Sequence, residues 1–257
     1  MNDLLRLEFH KLKRSKSFYI ILIIMLAFVV ISMITTKLLA GLADQINEIG
    51  AEFGETFSAA GESVLLGFLS AGNYSLLTAI FVAIVVCDDY ESHIIKNIFA
   101  RGYSRSDFYF AKFIYLIVAT SVMFIISVSL SAVLSELLFG INGDIGKIVL
   151  LISLQYLAAM AGVSLYFLIS VAIKKLGGAI ALNIILPSIV SLLLALADTA
   201  VKTDKFSFAD YWFTSFTSTL SDITVGTTKI IVCAVLSVVY LLVFMLLGYK
   251  FNERTEV

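Results

Sequence analysis

Six runs of apolar residues, most of them twenty or more positions long, alternate with polar connections along this chain. A helix needs about 20 residues to cross a ~30 Å hydrocarbon core, whereas a barrel strand needs only ~10. A membrane span must also satisfy its own backbone polar groups, so runs of this length are helices. The pattern predicts spans at about 18–39, 64–87, 109–136, 148–173, 177–197 and 230–250. The expected class is therefore all-α: a polytopic membrane protein with six transmembrane helices in a single domain, 1–257. Ahead of the first span, residues 3–16 form a short amphipathic stretch. Leu5, Phe9 and Leu12 share one helical face, and Arg6, His10, Lys13 and Arg14 take the other. Such a helix suits the bilayer interface. The run Phe18–Thr36 is longer than a signal-peptide core, so it is read as a span and not as a cleaved leader.

Composition strengthens this reading. The chain is 60% hydrophobic and 14% charged, with a mean hydropathy of +1.00, which a water-exposed globule could not carry without large sticky patches. Of 18 Lys and Arg residues, 13 fall on one side of the membrane and 5 on the other if the N-terminus is cytoplasmic. The positive-inside rule then sets both termini in the cytoplasm. The loop 41–63 carries Asp44, Glu48, Glu52, Glu55 and Glu62 without a cation, consistent with the outer side. Cys87 and Cys233 lie in or at spans and read as small buried hydrophobes, while His10 and His93 lack zinc-ligand spacing. No internal repeat of the inverted-transporter kind is evident.

The missing chemistry narrows the function. There is no G-x-x-x-x-G-K-[ST], no H-E-x-x-H and no G-x-S-x-G, so neither P-loop ATP hydrolysis nor a familiar hydrolase site is present. No ionisable side chain lies near the middle of a span; Glu136, at the outer end of the third, comes nearest. Ion-coupled carriers depend on such groups. An ion-coupled secondary transporter or a non-transporting membrane scaffold stays as the alternative to a driven permease. Uncharged polar residues do recur: Ser70, Asn73, Tyr74 and Thr78 in the second span, Ser127, Ser131 and Ser135 in the third, and Asn183, Pro187 and Ser191 in the fifth. Small polar residues at this spacing signal close helix packing or the lining of a path. Pro187 removes one intrahelical hydrogen bond and provides a bending point.

Between the second and third spans lies DDYESHIIKNIFARGYSRSDF, residues 88–108. Asp88 or Asp89 is positioned to cap a short helix, Gly102 to end it in the left-handed conformation, and Ser104 with Asp107 to start the next span. Ile94, Ile95, Ile98 and Phe99 form its apolar face; Lys96, Asn97 and Arg101 form the polar one. The helix either rests on lipid or docks into a groove on a cytoplasmic partner.

The start LLRLEFHKLKRSKSFYI, the stretch IIKNIFARGYSRSDFYFAKF and the ending YLLVFMLLGYKFNERTEV resemble the ABC-2 type permeases, the membrane subunits of type-2 ABC exporters. The chain looks most like the small six-span permeases of peptide export, lantibiotic and bacitracin immunity, and phenol-soluble-modulin export. The resemblance implies an N-terminal elbow helix at 3–16 and a cytoplasmic coupling helix at 90–101. ATPase contact is then expected from Asp89, Tyr90, Glu91, Ile94, Ile95, Asn97, Ile98, Phe99, Arg101 and Arg105. It also implies short external helices within 203–222, with Tyr211, Trp212, Phe213 and Phe216 at headgroup level. Spans two and five would line the translocation path, through Ser70, Asn73, Tyr74, Thr78, Asn183, Pro187 and Ser191. The expected partners are an ABC ATPase subunit, a second or related permease, the lipid bilayer and an amphipathic peptide cargo, with no nucleic acid. No cofactor is expected on this chain, since ATP and Mg would sit on the ATPase. The expected location is the bacterial plasma membrane.

Overall fold

The computed structural model describes residues 2–48, 61–70, 73–92, 94–141, 143–201 and 207–254, and within these the side chains of residues 2, 3, 13, 43–48, 68–70, 73, 97, 201 and 254 lie outside what is described. Among the described residues ten α-helices follow one another: α1 (Asn2–Arg14), α2 (Lys16–Glu48), α3 (Gly61–Ser70), α4 (Asn73–Glu91), α5 (Ile94–Ala100), α6 (Arg105–Phe139), α7 (Ile145–Ile173), α8 (Leu176–Val201), α9 (Phe213–Thr219) and α10 (Thr227–Arg254). Among the described residues there is no strand. Among the described residues, five helices are long and apolar enough to cross a membrane: α2, α6, α7, α8 and α10. The chain is an all-α, multi-pass membrane protein. The second expected span, 64–87, comes as two helices, with α3 packed mainly on α6 and α4 on α7 and α8.

The helices pack around α7, whose length is the most enclosed of the long helices and whose neighbour along most of it is α10. Tyr109 of α6 reaches into that contact and donates to the Met245 carbonyl at 2.7 Å. Gly248 makes the approach possible: a Cβ there would stand 2.5 Å from the Tyr109 hydroxyl oxygen. A second layer joins α2, α4 and α6 through Met25, Val29, Met33, Phe81, Leu116 and Met123, all fully enclosed. The outer faces of α2, α8 and α10 carry exposed Ile23, Ile31, Leu192, Leu193, Val235 and Leu246, the arrangement a hydrocarbon solvent favours.

Local signals explain the boundaries. Ser104 accepts from the Asp107 N–H at 3.0 Å, so the expected cap opens α6. Gly102, at φ 87°, ends the short helix before it and donates to the Phe99 carbonyl. Asp88 and Asp89, however, do not cap α5. Together with Tyr90 and Glu91 they are the last turn of α4, and α5 starts at Ile94. Helix continues through them because the apolar run to Cys87 carries it on and Asp89 turns inward to cationic partners. The aromatic cluster beyond α8 also differs from expectation. Phe213 and Phe216 are buried against α7 and α10 and do not ride at the surface, while Tyr211 remains exposed. Cys87 and Cys233 are free and buried, as expected.

Candidate functional site

One end of the bundle is built around four charged groups. Leu4, Glu8 and Lys11 repeat at i, i+4 and i+7, so one face of α1 carries all three to α6. There the Lys112 ammonium donates to Glu8 Oε2 at 3.1 Å and also to Asp89 of α4. Lys11 donates to the other oxygen of Asp89 at 2.9 Å and lies 3.9 Å from Glu8. Two anions and two cations thus meet where three helices join, with Glu8, Asp89 and Lys112 buried. Asp89 lies past the end of the expected span; burial pushes its carboxyl up, but Lys112 and Lys11 outweigh that and hold it below the ordinary carboxylate range. Burial lowers the Lys11 ammonium, and Asp89 and Glu8 more than reverse this, raising it.

Helix α5 is mounted on this knot. Ile95 and Ile98 are buried with Leu4 of α1 and with Phe108 and Ala111 of α6, and Tyr90, Ile94 and Phe99 pack around them. Phe99 stacks edge-on with Phe108, and the Arg105 guanidinium lies over its ring at 5.8 Å. Lys174 covers the Tyr90 ring at 5.4 Å. Glu91 accepts the Leu176 N–H at 2.8 Å, capping α8 from outside. Most residues singled out for partner contact therefore build the mount. Among the described residues from 88 to 104, Asp88, Glu91, Ser92, Lys96, Ala100, Arg101, Gly102 and Ser104 are exposed. Asn97 lies in α5, its side chain outside the described residues.

Farther along the bundle α4, α7, α8 and α9, with Phe124 of α6, line a half-open cavity of about 610 Å³. Tyr74, Thr78, Asn183, Pro187 and Ser191 from the sequence reading all line it. Ser70 and Asn73 stand at the adjoining ends of α3 and α4, their side chains outside the described residues. Added to them are Gln155 and Gly162 of α7, Tyr166, and Phe213, Thr214 and Thr217 of α9. Among the described residues no Asp, Glu, Lys, Arg or His contributes to the lining. Gln155 was legible: it is the lone carboxamide in the run 148–173. The part played by α9 was not, since aromatic residues between spans read equally well as interfacial.

Lining polar groups are mostly turned onto the helices themselves. Tyr74 donates to the Thr120 carbonyl at 2.9 Å, and Thr78 to the Tyr74 carbonyl. Gln155 donates to the Leu66 and Thr217 carbonyls at 3.1 and 3.3 Å; Asn183 donates to the Ala79 carbonyl and the Ser170 hydroxyl, both at 3.2 Å. These partners fix which end of each amide is nitrogen, because a backbone carbonyl can only accept. The Gln155 and Asn183 side-chain oxygens are buried without a partner.

The family model described as ABC-2 family transporter protein matches residues 4–198, from α1 nearly to the end of α8. The chain belongs to the ABC-2 transporter family. A comparison with curated proteins found no match. Membership makes the chain a membrane permease component of an ABC transporter, a transport subunit whose family implies an ABC ATPase as partner. For an ABC-2 permease the two regions above differ in kind: one offers a rigid, externally reachable base, the other an uncharged hollow among the spans.

Proposed function

We propose that this permease pairs with a second copy, or with a related permease, and with two cytoplasmic ATPase subunits to export an amphipathic peptide such as a toxin or peptide antibiotic. ATP and Mg are bound and used on the ATPase, and this chain binds no cofactor itself. The setting is a bacterial plasma membrane with both termini in the cytoplasm. That orientation is supported by the 13-to-5 cation split; it puts α1 and α5 on the ATPase side and α9 on the outer side. The observation that carries the reading is the cavity, apolar and hydroxylated but uncharged, at the meeting of α4 and α8. A charged cargo group would find no counterion there, whereas an apolar face with neutral polar groups is matched.

ATP-driven closure of the ATPases would press on α5 and shift the permease between inward- and outward-accessible states. Since Ile95 and Ile98 are occupied internally, the ATPase meets the outward residues, chiefly Lys96 and Arg101. The test is co-purification with candidate ABC ATPases from the same genome. One is expected to co-elute with the wild type and to be lost from Lys96→Glu/Arg101→Glu while the permease stays folded. Co-elution indifferent to these changes, or no co-eluting ATPase at all, overturns this assignment.

A further inference from the structure

The outer side of α1 carries a row of basic residues. Arg6, His10 and Arg14 repeat at i, i+4 and i+8, so they share one exposed face, turned away from the Leu4–Glu8–Lys11 face that meets α6. Lys16, exposed at the start of α2, continues the row. Among the described residues the ion pairs all lie inside the knot, and none of them takes up Arg6, Arg14 or Lys16. Two observations fix the depth of this row. Only Ser15 separates α1 from α2; its hydroxyl accepts the Phe18 N–H, and the exposed apolar side chains of α2 begin at Tyr19 and Ile20. On α6, Lys112, the partner of Glu8, comes two residues before Ile114, the first exposed large apolar side chain of that helix. The row therefore stands at the edge of the apolar belt, level with lipid headgroups. Leu7, half exposed beside Arg6, suits the acyl side of such a layer better than water.

We infer that this face of α1 is a seat for anionic phospholipid headgroups, held by the Arg6 and Arg14 guanidinium groups with Lys16 beside them. The inference needs only the bilayer and stands apart from the permease reading. A guanidinium matches phosphate bidentately and does not lose its charge. A zwitterionic headgroup offers a phosphate too, but cancels it with a cation of its own. Each Lys or Arg near an anionic membrane surface is worth about fivefold in binding, so two arginines suffice for a clear preference. An acidic protein surface fits less well, because the row runs without a break into the exposed apolar side chains of α2. The consequence is regulatory. The same helix holds Leu4 against Ile95 and Ile98 of α5, so headgroups that steady α1 also steady the mount of α5.

The test incubates the full chain in detergent with equal amounts of phosphatidylglycerol and phosphatidylcholine of the same acyl chains, and counts the retained lipids by native mass spectrometry. The wild type is expected to retain phosphatidylglycerol about tenfold over phosphatidylcholine, and Arg6→Gln/Arg14→Gln to bring that ratio below about threefold. Lys175→Gln/Lys250→Gln removes the same charge from exposed positions at the same end of the bundle, and should leave the ratio within about twofold of the wild type because separated exposed charges are screened. Phosphatidylglycerol should also raise the thermal midpoint of the wild type and leave that of Arg6→Gln/Arg14→Gln unmoved. Equal retention of both lipids by the wild type overturns the inference without any variant. Equal losses in the two variants also overturn it, since the attraction would then be diffuse. So does full displacement of the lipid by inorganic phosphate at equal concentration, which would make the row an ion site. An undiminished lipid preference in Arg6→Gln/Arg14→Gln overturns it as well, and loss of a co-eluting ATPase from that variant would assign the face to an acidic protein partner.

Discussion

Two polar regions interrupt this apolar bundle, and they resolve their polarity in opposite ways. At the base, Glu8, Lys11, Asp89 and Lys112 cancel one another at contact distance. Among the described residues that line the cavity there is no charge, and the carboxamide oxygens of Gln155 and Asn183 are unpaired. A paired buried charge resists disturbance, because removing one member strands the others. An unpaired neutral acceptor ties nothing down, and what it forgoes is on the scale of a single hydrogen bond. The first is suited to bearing a load, and the second carries little of it.

The comparison is broken most directly at Lys112. Replacing it by Met leaves Glu8 and Asp89 facing each other with only Lys11 to serve both, and should cost about 3–5 kcal/mol, the usual penalty for breaking a buried ion pair. A lowered thermal midpoint in detergent, with early loss of the α1 contact, is the expected readout. A midpoint unchanged from wild type would mean that the knot bears no load.

A smaller effect is expected from pH, and it should fall on the base alone. The Asp89 carboxyl sits below its unfolded value, about 3.9. Its contribution is therefore present above about pH 4 and is lost as pH falls through the lowered folded value. Lys11 is raised above its unfolded value, about 10.4. Its contribution is present below about pH 10 and is lost as pH climbs past the folded value. Thermal melts should thus be flat across neutral pH and fall at both extremes, and Asp89→Asn should flatten the acid limb.

Smaller still is Asn183→Leu. The substitution removes an orphaned oxygen along with two donated hydrogen bonds, so stability should shift by no more than about 1 kcal/mol. A midpoint shift as large as that of Lys112→Met would erase the distinction between the two regions. The smallest change in stability, within about 0.5 kcal/mol, is expected for Lys96→Glu/Arg101→Glu on the exposed side of α5. In that variant ATPase retention, measured by co-elution, is the quantity that should collapse.

Much of this was legible in the chain, for identifiable reasons. Hydrophobic length marked the long helices, and the Ser104 and Gly102 signals marked the turn between α5 and α6, because these depend on a few adjacent residues. Spacing also grouped Tyr74 with Thr78 and Asn183 with Ser191, which share one cavity. The knot was harder to see. Glu8 and Lys112 are 104 positions apart, and each reads locally as an ordinary flanking charge. A lone cation inside FYFAKFIYL was the available hint, since it calls for a counterion that the run does not contain. The inward turn of Ile95 and Ile98 was equally hidden, because an apolar face does not say which surface covers it.

The cap on α8 has a mechanical consequence. Glu91, the last residue of α4, grips the first turn of α8 through the Leu176 N–H, and only Lys174 and Lys175 separate α8 from α7. The helix carrying Asn183 and Pro187 is thereby latched at its foot to the segment that leads into α5. A sideways displacement of that segment reaches α8 in one step, like a crank turning a shutter, without first deforming the densely filled centre around α7.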